Sequence, residues 1–201
     1  MKGVYEKQVF IDAFEFGDID ALVEKVKEID PGFASKTVCF SGNRPAHLPW
    51  KTNEDCDIYE EFKSSFIKLI DKLIDAGYRH FISGMALGFD LIAAETILEL
   101  KEIKKVKITL ECAIPCIGQT DRWNTASKTR YRRVLERADK VTLVSDKSYY
   151  TGCFAKRNEF MVNRSDLVVA LNFSQSGGTV STINYALKKD KAIIVIGDNR
   201  V

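Results

Sequence analysis

Apolar runs and amphipathic stretches alternate along most of this chain. From Lys36 onward, short runs rich in β-branched and aromatic residues predict strands at Thr37–Ser41, His80–Ser83, Lys107–Ala113, Lys140–Ser145, Leu167–Leu171 and Ala192–Ile196. Between them, helical spacing of apolar positions predicts helices near Ile58–Ala76, Gly88–Ile103, Trp123–Ala138, Phe154–Arg164 and Thr179–Lys189. The runs Leu167-Val168-Val169-Ala170-Leu171 and Ala192-Ile193-Ile194-Val195-Ile196 are apolar throughout. Strands buried on both faces have this character, so the sheet is expected to be mainly parallel, with helices on both sides. The fold class is therefore α/β, a Rossmann-like three-layer sandwich built from right-handed crossovers.

Residues 1–35 follow a different pattern. Val9-Phe10-Ile11 and Phe14-Glu15-Phe16 form a short apolar patch. Asp18 is a candidate N-cap for a helix through Ile29, with Leu22, Val23, Val26 and Ile29 on one face and Pro31-Gly32 closing it. This reads as an appended N-terminal hairpin or helical arm on a Rossmann-like domain spanning 36–201.

Composition narrows the class. Hydrophobic residues make up 45% of the 201, which suits a globular domain with its own core. The net charge is +2, from 30 basic and 28 acidic residues, so a broadly basic surface is not expected and nucleic acid is not the expected partner. No apolar run reaches membrane-spanning length, and Met1-Lys2-Gly3-Val4-Tyr5-Glu6 lacks the apolar stretch of a signal peptide, so no membrane association and a cytoplasmic location are expected. The five cysteines, Cys39, Cys56, Cys112, Cys116 and Cys153, form no CxxC pair, and neither a zinc site nor a disulfide framework is expected.

Three strand-to-helix turns carry the candidate chemistry. The first is Ser41-Gly42-Asn43-Arg44-Pro45, followed by a long connection from Ala46 to Asp57. The planar fork of Arg44 suits a phosphate or carboxylate, or else pairs with a surface acid. His47 and Trp50 in that connection either stack on a base or cover the core. The second turn is Ser83-Gly84-Met85-Ala86-Leu87-Gly88-Phe89-Asp90, in which Asp90 either accepts from a ribose hydroxyl or caps the helix. The third, Ser176-Gly177-Gly178-Thr179, places paired glycines and a Thr at a helix start, where backbone N–H groups favour phosphate oxygens; Thr179 can also cap that helix. Arg157-Asn158 lies near the start of another helix, where the dipole disfavours a cation unless an anion is near. Tyr131, in the basic run Arg130-Tyr131-Arg132-Arg133, either stacks on a base or fills a groove between helices.

Ligands of open parallel sheets bind at the carboxyl ends of the strands. The candidate binding residues are therefore Ser41, Gly42, Asn43, Arg44, Gly84, Met85, Gly88, Asp90, Arg157, Asn158, Gly177, Gly178 and Thr179. The backbone N–H groups of Gly42, Gly84, Gly88, Gly177 and Gly178 are expected to hold phosphates. A bulky residue at Gly88 or Gly178 is expected to remove binding while the fold survives. No catalytic residue is assigned.

In this order, together with Ala113-Ile114-Pro115, Arg157-Asn158-Glu159-Phe160-Met161-Val162 and Gly177-Gly178-Thr179, these motifs resemble the YpsA family of the SLOG superfamily, which also holds the LOG proteins and DprA. The resemblance covers nearly all of 36–197 and implies a Rossmann-like fold with a site for a nucleotide or nucleotide derivative, ADP-ribose-like, and no established reaction; the leading expectation is a nucleotide-binding sensor or regulatory module. It also implies self-association as a homodimer. Members often carry His where this chain has Asn43, and Asn does not titrate. LOG-type phosphoribohydrolases place a catalytic Glu just after the glycine turn. Here Thr179-Val180-Ser181-Thr182-Ile183-Asn184 follows, with no acid before Asp190. A LOG-like N-glycosidase would need Asp90, Glu95 or Glu111 to substitute. A DprA-like DNA-processing role is the third alternative, and would want a basic, aromatic groove.

Overall fold

The computed structural model describes residues 8–12, 16–29 and 36–197. Its elements in chain order are β1 (Gln8–Asp12), α1 (Ile19–Ile29), β2 (Lys36–Gly42), α2 (Asp57–Asp75), β3 (Tyr78–Ser83), α3 (Phe89–Ile103), β4 (Thr109–Ile114), α4 (Thr125–Arg137), β5 (Lys140–Leu143), α5 (Cys153–Asn163), β6 (Leu167–Asn172), α6 (Gly178–Lys188) and β7 (Ala192–Gly197). The strands form one seven-stranded sheet in the order β1-β7-β6-β2-β3-β4-β5. Every pairing is parallel. The Rossmann-like α/β sandwich expected from the alternation is the observed fold.

Period-two alternation divides the core between two layers. Val38, Phe40, Phe81, Leu110, Val169 and Ile194 point toward α1 to α4. Cys39, Ile82, Ala113, Val168, Ala170 and Ile193 point toward α5 and α6. The first layer is aromatic. Phe62 and Phe66 of α2 stack at 5.6 Å, and Phe66 meets Phe89 of α3 at 5.2 Å. Trp50 is buried against Phe62 at 4.7 Å, so the long connection before α2 closes the core with it.

The segment expected as an appended arm takes part in the sheet itself. Val9 and Ile11 of β1 are buried and pair with Ile194 and Ile196 of β7, while Phe10 between them is 56% exposed. Asp18 caps α1 as expected, its Oδ1 accepting from the Ala21 amide at 3.0 Å. The expected closure at Pro31-Gly32 lies outside the described residues, as does the segment read for a signal peptide.

The chain order decides where a ligand could sit. From β2 the chain steps outward through β3, β4 and β5, then returns to lay β6 on the other side of β2, followed by β7. The connections leaving β2 and β6 therefore diverge to opposite sides of the sheet. A crevice opens at their carboxyl ends, the point where ligands of doubly wound folds bind.

Candidate functional site at the carboxyl ends of β2 and β6

A hollow of about 220 Å³ occupies this crevice. Its wall includes ten of the thirteen candidate residues: Ser41, Gly42, Asn43, Arg44, Asp90, Arg157, Asn158, Gly177, Gly178 and Thr179. They come from four separate elements.

The α6 end is the most open part. Gly177 has φ +110°, a conformation that glycine adopts freely, and a Cβ built at Gly177 or Gly178 would meet nothing within 4 Å. The first amides of α6 have no intrahelical acceptor, and the helix dipole adds positive potential there. Thr179 is buried in the first turn. This is a ready cradle for an anion.

Two guanidinium groups face the cradle. Arg44 is exposed, makes no ion pair among the described residues, and lies 5.6 Å from the centre of the Phe154 ring. Arg157 is only 3% exposed, projects from the second turn of α5, and lies 5.9 Å from the centre of the same ring. Its Nη1 donates to the Gly84 carbonyl and stands 3.8 Å from Asp90 Oδ2. Its Nε donates to Asn158 Oδ1 at 2.8 Å. Burial works to lower the Arg157 pKa and the Asp90 charge opposes it; an arginine keeps its proton in this situation. Burial raises the Asp90 carboxyl above the ordinary aspartate range, against the pull of Arg157 and Arg44 and a bond from the Ala86 amide at 3.3 Å.

Both asparagines are committed to the protein. Asn43 Oδ1 accepts from the Phe173 amide at 2.5 Å, and its Nδ2 donates to Ser174 Oγ at 3.1 Å. It splices the turn after β2 to the turn after β6. Asn158 Nδ2 donates to Thr182 Oγ1 at 2.8 Å and ties α5 to α6. Asn43 lines the hollow, and of its two amide N–H donors one is taken by Ser174.

Of the second turn, Ala86 and Asp90 line the hollow, while Gly84, Met85 and Gly88 are packed against protein outside its lining. A Cβ at Gly84 would collide with the Arg157 guanidinium and with Asp90 Oδ2 at 2.7 Å. Gly84 is there to admit Arg157. Gly88, at φ +92°, has no room for a side chain beside the Asn43 carbonyl, and its neighbour's amide, that of Phe89, already donates to that carbonyl at 3.3 Å. Met85 is fully buried at φ +58°. The glycines of this turn answer to close packing of protein against protein.

The wall also contains Ala86, His47, Phe154, Ser174 and Ser176. Of these, Phe154 was not singled out in the sequence; its position three residues before Arg157, one helical turn away, was the available signal. Trp50 and Tyr131, the other aromatic candidates, are core residues: Tyr131 is buried edge-on against Trp123 at 5.5 Å. Among the described residues no group of three or more His, Cys, Asp or Glu side chains could hold a metal, and no helix is long and apolar enough to cross a membrane. All five cysteines are free; burial pushes the Cys39 and Cys112 thiols up to about 12.

The family model described as the YspA SLOG family, under the name YpsA, matches residues 38–194. The chain belongs to this family. A UPF0398 protein of Halalkalibacterium halodurans is 30% identical over 128 residues, 63% of this chain and 67% of that protein. The SPbeta prophage-derived protein YoqJ of Bacillus subtilis is 31% identical over 140 residues, covering 64% of this YpsA-family chain and 81% of its own. Among solved structures, DNA processing protein A of Helicobacter pylori, described for its single-stranded DNA binding mode, superposes with a TM-score of 0.55 at 22% identity, covering 84% of this chain and 67% of that one. DprA of Streptococcus pneumoniae gives 0.55 at 13% identity, covering 85% of this chain and 52% of that one. The latter pair shows a shared fold. The matched range begins within β2 and includes every residue that lines the hollow, with β1 outside it.

Proposed function

We propose that this YpsA-family protein binds a nucleotide or nucleotide derivative at the β2–β6 crevice and acts as a sensor or regulatory module. The observation that carries this reading is the meeting of two guanidinium groups, Arg44 and Arg157, with the unobstructed start of α6 at Gly177-Gly178-Thr179. The α6 amides hold the phosphate, Arg44 closes over it, and Arg157 fixes it from below. Asp90, the one carboxylate in the wall, is oriented by Arg157 and the Ala86 amide toward a sugar hydroxyl. The expected acid after the glycine turn is missing, so binding is favoured over N-glycosidic hydrolysis.

Thermal shift with AMP, ADP-ribose and NAD, against adenosine as the phosphate-free control, tests the reading. A phosphate-bearing ligand at a hundred times its Kd adds about 2.7 kcal/mol to stability. Adenosine gives no comparable shift, and Arg44→Ala removes most of the shift given by the nucleotides. Equal shifts with adenosine would sink the phosphate cradle. Release of free base from AMP, lost in Asp90→Asn, would transfer the site to the hydrolase reading.

The Helicobacter neighbour named for single-stranded DNA binding motivates one further arm. A phosphodiester could engage the same cradle. If single-stranded DNA binds with steep salt dependence while mononucleotides give no shift, a nucleic-acid strand replaces the small ligand.

A further inference from the structure

We propose that the groove between α5 and α6 receives the base of the ligand whose phosphate lies at Gly177–Thr179; this rests on the nucleotide reading above and deepens it. The crevice hollow, about 220 Å³, falls below the range of about 300–1,000 Å³ usual for small-molecule sites. A nucleotide held there by its phosphate must continue outward. A second hollow of about 400 Å³ adjoins it, and Phe154, Asn158 and Gly178 are walls of both. The two spaces share one partition and run on along α6.

The groove presents two half-buried rings, Phe154 from α5 and Tyr185 from α6. Tyr185 is held by its hydroxyl, which donates to Asn163 Oδ1 at 3.1 Å. The polar groups between the helices are already paired: Asn158 donates to Thr182 Oγ1, which donates to the Gly178 carbonyl at 2.8 Å. What stays open to a ligand is aromatic surface, with the exposed side chains of Glu159 and Lys188 in the lining, Lys189 Nζ 5.4 Å from the Tyr185 ring centre, and the exposed amide of Asn184, which offers both a donor and an acceptor to a base edge. Tyr185 follows Gly178 by two helical turns on the same face, about 10 Å along the axis. A ribose spans the interval from a phosphate at Gly178 to a ring beside Tyr185.

Titration calorimetry with AMP and ribose 5-phosphate on the full chain tests this, using wild type, Tyr185→Ala and Asn184→Trp, with each variant's unfolding curve recorded. In wild type AMP binds about tenfold tighter than ribose 5-phosphate, the scale of one base stack. Tyr185→Ala and Asn184→Trp bring AMP down to the ribose 5-phosphate level and leave ribose 5-phosphate unchanged. If AMP binds no tighter than ribose 5-phosphate in wild type, or the variants weaken both equally or neither, the base lies elsewhere and the groove assignment falls while the phosphate cradle stands. If ribose 5-phosphate and AMP both fail to bind wild type, the cradle and the groove fall together.

Discussion

The turns after β3 and β6 share a signature, glycines between an apolar strand and a helix, yet the tertiary structure uses them in opposite ways. Around Gly84 and Gly88 every added atom would meet protein: the Arg157 guanidinium, Asp90 and the Asn43 backbone. Around Gly177 and Gly178 an added atom would meet open space. The first pair of glycines makes room for the protein's own chain, and the second leaves room for something else. A glycine-rich turn at a strand end is therefore evidence of a close approach, and the approaching partner is identified only in three dimensions.

The largest effect that separates the two turns is expected at Gly88. Gly88→Ala combines a positive φ with a clash against the Asn43 backbone, and should cost about 2–4 kcal/mol of unfolding free energy in urea titration. This reverses the expectation that a bulkier residue there spares the fold. A neutral Gly88→Ala would show that the turn relaxes easily and would dissolve the contrast. Gly84→Ala comes next, at about 1–3 kcal/mol, because the displaced Arg157 is buried and has no solvent to retreat into. Nucleotide-induced shifts should fall with it, since Arg157 would leave its seat.

A pH effect of middle size tests the part of the sheet farthest from α6. Glu111 on β4 is buried; burial pushes its carboxyl up, but bonds from Thr142 at 2.5 Å, His80 at 3.0 Å and Lys140 at 3.2 Å outweigh it, and the net shift is downward. A carboxylate lowered on folding contributes stability above its unfolded pKa, about 4.3, and loses that contribution as the pH falls through the lower folded value. Glu111→Gln should cost about 1–2 kcal/mol at neutral pH and flatten the acid limb of a stability–pH curve, with nucleotide binding unchanged. Altered binding in Glu111→Gln would mean that the two halves of the sheet are coupled.

The smallest stability effect is expected at Gly178. Gly178→Ala should leave the unfolding free energy within about 0.5 kcal/mol of wild type, because a methyl group there touches nothing and alanine suits a helix start. Its ligand-induced shift should nevertheless shrink, since that methyl enters the cradle. Retention of the full shift would place the anion away from α6.

Gly42 and Phe89 show how much of the site was hidden in the sequence. Gly42 lies at the strand end where the pattern put it, but its function, admitting the Phe89 side chain with contacts of 2.5 Å to an added Cβ, depends on α3 crossing β2. Phe154 is not legible as a site residue because an aromatic residue in a helix ordinarily reads as core, and its approach to both guanidinium groups requires α5 to dock beside the turn after β2. The strand β1 is not legible for a related reason. Val9-Phe10-Ile11 is a short run whose parallel partner, β7, lies at the opposite end of the chain.

Local preferences act over a few residues, and these the sequence by itself determined: the alternation of strands and helices, the parallel sheet implied by wholly apolar strands, the Asp18 cap and the set of turns that could face a ligand. Which glycines face protein and which face space was settled by strand order alone, because returning the chain to lay β6 against β2 brings Asn43 onto Phe173, Arg157 onto Gly84 and the start of α6 to an open rim. Those approaches join residues more than seventy positions apart in every case, and no local pattern encodes a distance of that kind.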